Sequence, residues 1–230
     1  MTSPRQMAFD LGLHEDFSRD GFFPSPANAA ALATIAGWTD WPLRRLLLIG
    51  PGGAGKTHLA HIWAAEAGAM ILPATDLATD LAPHDPTALP LAVVVEDADE
   101  MAGLPAHEEA LFHLINHMAA AGGHLLLTAQ RPPRDWGLAL PDLLSRLQAT
   151  AIARLDPPDD ALLSAVLVKL FADRQIAVPA NLIPYLTARM DRSIAAARHL
   201  VATLDARALA LGRPITRALA AELLDSADQG

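Results

Sequence analysis

Gly50-Pro51-Gly52-Gly53-Ala54-Gly55-Lys56-Thr57 is entered from the apolar run Leu43 to Ile49 and continued by HLAHIWAAEAG. It satisfies G-x-x-x-x-G-K-[ST] between a strand and a helix. Its glycines permit backbone angles that wrap N–H groups around phosphate oxygens, and a helix beginning near Lys56 adds the positive end of its dipole. Lys56 is expected to reach the β- and γ-phosphates of a nucleotide, and the Thr57 hydroxyl to ligate Mg²⁺. A purely structural glycine turn would not need Lys-Thr at this register.

Outward from this loop, short apolar runs take turns with longer helical stretches: LRRLLLIG, KTHLAHIWAAEAG, AMILPA, LAVVVEDAD, HEEALFHLINHMAAAG, HLLLTAQ and ATAIARL. Such alternation predicts an α/β fold with a mostly parallel sheet covered on both faces. Leu43 to Ile49 and Leu89 to Val95 read as buried strands, and valine-rich Leu91 to Val95 as a central one. Gly122 and Gly123 fit a helix stop. Beyond Pro157-Pro158 the pattern is almost wholly helical to Asp225, with breaks expected at Val178–Pro179, Pro184 and Gly212–Pro214. Three parts are expected: an extended arm over 1–20, an α/β nucleotide-binding body over 21–156 and a helical unit over 157–230.

Glu96 and Asp97 follow Val93-Val94-Val95 at the C-terminal end of a buried strand, where open α/β sheets bind ligands. The first acid is expected to hold Mg²⁺ and the second to polarise an attacking water. Asp is usual at the first position, and the extra methylene of Glu96 moves the carboxylate outward. The alternative is an exposed acidic turn running on through Asp99 and Glu100.

The 230 residues are 52% hydrophobic, with 17 Lys and Arg against 26 Asp and Glu, a formal charge of −9. That excludes wholesale disorder and offers no chain-wide positive field for nucleic acid. There is no cysteine, so disulfides and thiolate metal sites are excluded and the cytoplasm is the expected compartment. The apolar runs are far shorter than the ~20 residues of a membrane span, and MTSPRQMAFDLGLHEDF lacks the apolar stretch of an export signal.

GPGGAGKTH, VVVEDAD, HEEALFHLINHMAAAGGHLLLTAQRPP and LPDLLSRL, in that order and spacing, resemble the AAA+ module of the bacterial replication initiator DnaA. DFSRDGFFPSPANAAAL resembles the segment leading into the same module, so the resemblance runs from about Asp16 to the C-terminus. It implies an AAA+ P-loop NTPase with a parallel sheet core and a small C-terminal α-helical lid, binding ADP or ATP with Mg²⁺. No counterpart of DnaA's own N-terminal domain or helix-turn-helix domain is expected. A stand-alone module behind a short arm resembles the Hda (HdaA) family. That family is implicated in regulatory inactivation of DnaA, in which it and the DNA-loaded sliding clamp of DNA polymerase III promote hydrolysis of DnaA-bound ATP.

Gln6-Met7-Ala8-Phe9-Asp10-Leu11 resembles the clamp-binding hexapeptide. Gln6 can hydrogen-bond a polar rim while Met7, Phe9 and Leu11 enter apolar pockets as alternate side chains of an extended peptide. The alternative is an arm packed on its own body. Arg146 in LPDLLSRL matches the family's arginine finger, whose guanidinium neutralises charge on a transferring phosphoryl group of a neighbouring subunit, here implied to be DnaA. Gly50 to Thr57, His58 and Phe23 are the implied nucleotide contacts, Phe22 and Phe23 matching the segment that lines the adenine pocket. Gln130 follows the sensor 1 strand where DnaA tends to have Asp. In the sensor 2 region Ala195 occupies the usual arginine position, leaving Arg192, or after it Arg198, to substitute.

Together Glu96, Gln130 and Ala195 imply weak ATPase activity of the chain's own. The implied partners are DnaA and the β sliding clamp, with DNA reached only through them and no membrane, and self-association is left open. A different class of function, an AAA+ loader or remodeller of another replication protein, predicts indifference to loss of Gln6. An origin-binding paralogue is disfavoured by the negative charge. His113 and His117, four apart on a helix, have no third ligand at metal-binding spacing. Trp38 and Trp41 are expected to pack near the nucleotide-side rim, with adenine stacking as the alternative.

Overall fold

The computed structural model describes residues 17–81 and 89–227. Five strands form one sheet in the order β2-β3-β4-β1-β5: β1 Arg45–Ile49, β2 Met70–Pro73, β3 Ala92–Glu96, β4 His124–Ala129 and β5 Ala151–Arg154. Every pairing is parallel, with Leu47 beside Leu127 and Ile152, and Val94 beside Leu126. Parallel strands need covered crossovers, and the sequence supplies them as helices. These are α2 Lys56–Ala67, α3 Leu77–Leu81, α4 Pro105–Ala121 and α5 Pro141–Gln148, and α1 Ala29–Ala36 precedes β1.

Strand periodicity divides the core. Leu47, Ile49, Val93, Val95, Leu125 and Leu127 face α4 and α5. Leu46, Leu48, Val94 and Leu126 face α1 and α2, closing over Trp41 and Trp63. A third apolar cluster belongs to the C-terminal helices α6 Asp160–Asp173, α7 Leu182–Thr187, α8 Ile194–Leu211 and α9 Arg217–Ala227, centred on Leu167, Phe171, Leu182 and Leu204. Asp159 caps α6 by accepting from Leu162 N–H at 2.7 Å, and Gly212 ends α8 in the left-handed region.

Three expectations are corrected. The apolar runs overshoot their strands: Leu43 and Leu91 are exposed, and β1 and β3 begin only at Arg45 and Ala92. Hydrophobicity marked the runs, but Leu43 lies in a turn at φ 53°, which keeps it out of the strand. Pro184 does not break the chain; it lies in the first turn of α7, where its missing N–H would have had no helical partner. Trp38 and Trp41 are not on the nucleotide side. Trp38 packs edge-on to His124, the first residue of β4, and its indole N–H donates to Glu66 near the end of α2. Trp41 is buried against Trp63.

Candidate functional site

In a parallel sheet all C-terminal strand ends lie along one edge, so β1, β3 and β4 bring the phosphate-loop motif, the acidic pair and Gln130 together there. The loop leaves β1 at Gly50, whose N–H donates to Ala129 O at 3.2 Å. A Cβ at Gly50 would meet Leu155 O at 2.8 Å, which ties this glycine to close packing by the end of β5. Pro51 O accepts from Ala54 N–H, closing the curl. Lys56 opens α2, is buried, and donates to Gly50 O at 2.9 Å and Pro51 O at 3.2 Å. Burial pushes its pKa down while Asp97, Asp99 and Glu96 oppose that shift.

The acidic strand end is no exposed turn. Asp97 adopts φ 49°, a left-handed conformation Asp tolerates, and its N–H donates to Thr128 Oγ1 at 2.9 Å. Asp99 is buried; both its oxygens accept from Gln130 N–H at 3.2 Å, and it lies 3.9 Å from Arg131 Nε. Glu96 Oε1 is buried with no hydrogen-bond partner. Among the described residues no cluster of three or more His, Cys, Asp or Glu could hold a metal by itself. An unpartnered carboxylate oxygen on the same edge as Thr57 fits Mg²⁺, which uses one or two protein oxygens and completes its shell from phosphates and water.

The C-terminal helices close over the loop. Ile194 N–H, at the start of α8, donates to Gly53 O at 2.9 Å. Gly53 has φ 71°, and a Cβ there would collide with Ser193 Oγ. Beside this contact a cavity of about 590 Å³ is walled by Phe22, Phe23 and His58 on one side and Leu162, Ile194 and Arg198 on the other. His58 is held by Ser18 O, 2.8 Å from Nε2, and by edge contacts with Phe17 and Phe22.

Other expected residues lie differently. Gln130 enters through its backbone, its side chain exposed. Arg192 pairs with Asp160 at 2.7 Å at the start of α6, whereas Arg198 lines the cavity. Arg146, on α5, is exposed with its guanidinium 5.0 Å from the Phe112 ring centre. It precedes β5 by a few residues and therefore stands near the N-terminal edge of the sheet, where its charge acts on Arg45 at the start of β1. β1 alone, five residues at ~3.3 Å each, separates that edge from the phosphate loop by about 16 Å. Residues 6 to 11 lie outside the described residues.

Two functional positions escaped the sequence reading. Asp99 offered only an acidic run as a signal. Glu108 is almost wholly buried on α4 and gathers N–H groups from Gly103 at 3.0 Å, Ala139 at 3.0 Å and Leu140 at 2.9 Å, fixing the start of the helix that bears Arg146. Its place on the stripe Leu111, Ile115, Met118 was the available clue, an acid on an apolar face.

No family model matches the chain. The chromosomal replication initiator protein DnaA of two Caulobacter vibrioides strains is 30% identical over 169 residues, 64% of this chain and 34% of that protein. The chain thus spans about a third of the length of the curated relatives it matches. Domain III of the Thermotoga maritima replication initiation protein DnaA superposes with a TM-score of 0.81 at 19% identity, covering 92% of this chain and 97% of that one. AMPPCP-bound DnaA from Aquifex aeolicus gives 0.69 at 15% identity, over 84% of this chain and 66% of that one. A point mutant of Thermotoga maritima RuvB gives 0.63 at 18% identity, over 87% and 68%. The fold is that of an AAA+ α/β module, and the sequence is similar to DnaA.

Proposed function

We propose that this chain is a nucleotide-binding regulator that restrains replication initiation by lending Arg146 to ATP held on DnaA, while its arm holds it to the sliding clamp. The observation that carries the reading is the place of Arg146: exposed, in no ion pair among the described residues, and a strand's length from its own phosphate loop. A guanidinium there has no route to the chain's own nucleotide and serves only a neighbour's.

The chain's own nucleotide is ADP or ATP, its base in the cavity under Phe22 and Phe23 and its phosphates against the loop, where Lys56 exchanges carbonyl partners for phosphate oxygens. Thr57 and Glu96 would hold Mg²⁺, which when bound screens phosphate charge. Asp97 orients a water, and its turn is held by Thr128. With Gln130 exposed and Arg192 committed to Asp160, own turnover is slow. The nucleotide then acts mainly to join body and lid. Gln6, Met7, Phe9 and Leu11 supply the clamp contact.

The test is a reconstitution of clamp on DNA with DnaA carrying labelled ATP. Addition of this protein is expected to accelerate hydrolysis. Arg146→Ala is expected to abolish that effect, and Gln6→Ala to make it independent of the clamp at a low basal level. Unchanged hydrolysis with the wild-type protein would sink the proposal. Full activity of Gln6→Ala in moving some other replication protein would favour a loader.

A further inference from the structure

Phe17 and Ser18 are the first described residues, and both rest on α2. His58 and His61, three apart, share one face of that helix. Phe17 stacks on His61 with ring centres 4.3 Å apart and meets the edge of His58 at 5.6 Å. Ser18 O can only accept, so His58 Nε2, 2.8 Å away, carries the hydrogen and the tautomer of the ring is set. Phe22 also meets the His58 ring edge-on, at 5.2 Å. Between Ser18 and Phe22 the chain makes one tight turn, Arg19–Gly21, in which Gly21 N–H donates to Ser18 O and Phe22 N–H to Arg19 O. Asn28 stiffens the next segment, accepting from Ser25 N–H at 2.8 Å and donating to Phe23 O at 2.9 Å. Phe22, Phe23, Asn28 and His58 line the cavity of about 590 Å³, whereas Phe17 and Ser18 do not.

We infer that Phe17 and Ser18 are positioning residues for the nucleotide base: they latch the root of the arm to α2 and so hold His58 and Phe22 in the geometry that the cavity presents. This rests on reading the cavity as the site of the base. Rings left to rotate must be ordered when a ligand arrives, and the latch meets that cost beforehand. Linkage makes the relation reciprocal, since a root whose latching favours the base is itself held latched by the base. Residues 6 to 11, assigned above to the clamp, join the body through Phe17, so the latch is the joint between the arm and the nucleotide site. Neither Phe17 nor Ser18 touches the base in this scheme.

The experiment measures binding of a fluorescent ATP analogue to the full chain carrying Phe17→Ala, Phe17→Tyr, His58→Ala or both alanines. It also follows tryptic cleavage after exposed Arg19, with and without saturating ATP analogue. Phe17→Ala is expected to weaken binding roughly fivefold, the order of one ring contact, and Phe17→Tyr to stay within about twofold of wild type. His58→Ala is expected to weaken it roughly tenfold. Adding Phe17→Ala to that variant is expected to cost less than about twofold more, because the phenyl ring acts through the imidazole. Nucleotide is expected to slow the cut after Arg19 roughly fivefold in the wild-type chain and to leave it unchanged in His58→Ala. A contact of merely structural value would add its cost independently of His58 and leave the cut indifferent to nucleotide, and either result overturns the inference. So does wild-type affinity in Phe17→Ala. Failure of the wild-type chain to bind the analogue instead overturns the underlying reading of the cavity and the phosphate loop.

Discussion

The two edges of the sheet handle charge in opposite ways. At the C-terminal edge Lys56 is buried but sits among Glu96, Asp97 and Asp99 and donates to two carbonyls. At the N-terminal edge Arg45 is buried with its Nε unpartnered and Arg146 is exposed, neither in an ion pair among the described residues. A folded chain normally pairs the charges it buries. The first edge sets Lys56 among carboxylates, whereas Arg45 and Arg146 have no carboxylate partner among the described residues. On the function proposed above, the ligand-holding role falls to one edge and the partner-directed role to the other.

The sharpest way to break this contrast is to cross the two edges in one experiment. Lys56→Ala is expected to weaken binding of a fluorescent ATP analogue by roughly 100-fold, the weight of charge-assisted hydrogen bonds to phosphate, while Arg146→Ala leaves that affinity within about twofold. A comparable loss in both would mean that the edges are not separate. Next in size is Glu108→Ala, which strips three backbone N–H groups of their acceptor. A loss of about 3 kcal/mol in urea unfolding is expected, and Glu108→Gln is expected to recover part of it.

A smaller effect tests the joint between body and lid. Gly53→Ala forces a side chain into φ 71° and against Ser193, with an expected loss of about 2 kcal/mol and faster proteolysis of the lid. Adding Ser193→Ala relieves the collision but not the backbone conformation, so only partial recovery is expected. The smallest is a pH effect at the N-terminal edge. Burial and then the charge of Arg44 depress the His124 pKa, against a backbone contact with Thr39. The unfolded chain therefore takes up the proton first. The stability due to neutral His124 is complete above about pH 6.5, the ordinary histidine value, and is lost as pH falls toward the folded-state pKa. His124→Leu is expected to flatten the dependence of the urea midpoint on pH over that window.

What the sequence disclosed followed from local rules. Gly50 to Thr57 names its conformation through glycine and its chemistry through Lys-Thr, and the unbroken apolar run assigned Leu46, Leu47 and Leu48 to a strand buried on both faces. Non-local pairings lay beyond it. Asp99 gave no sign that a backbone N–H from the end of β4 would claim it, and Arg192, in the turn before α8, gave none that Asp160 at the start of α6 would. Trp38 preceded β1 and so belonged at the opposite rim from the loop that follows β1, a consequence of parallel topology that its aromatic character concealed. Arg45 illustrates the same limit, since nothing in LRRLLLIG distinguishes the arginine that is buried from the one that is exposed.

The amide of Ile194 is a built-in clock. Because it is spent on Gly53 O, its hydrogen can trade with deuterated solvent only during moments when lid and loop part. Uptake at that one backbone position, followed with and without added nucleotide, therefore reads how readily this contact opens.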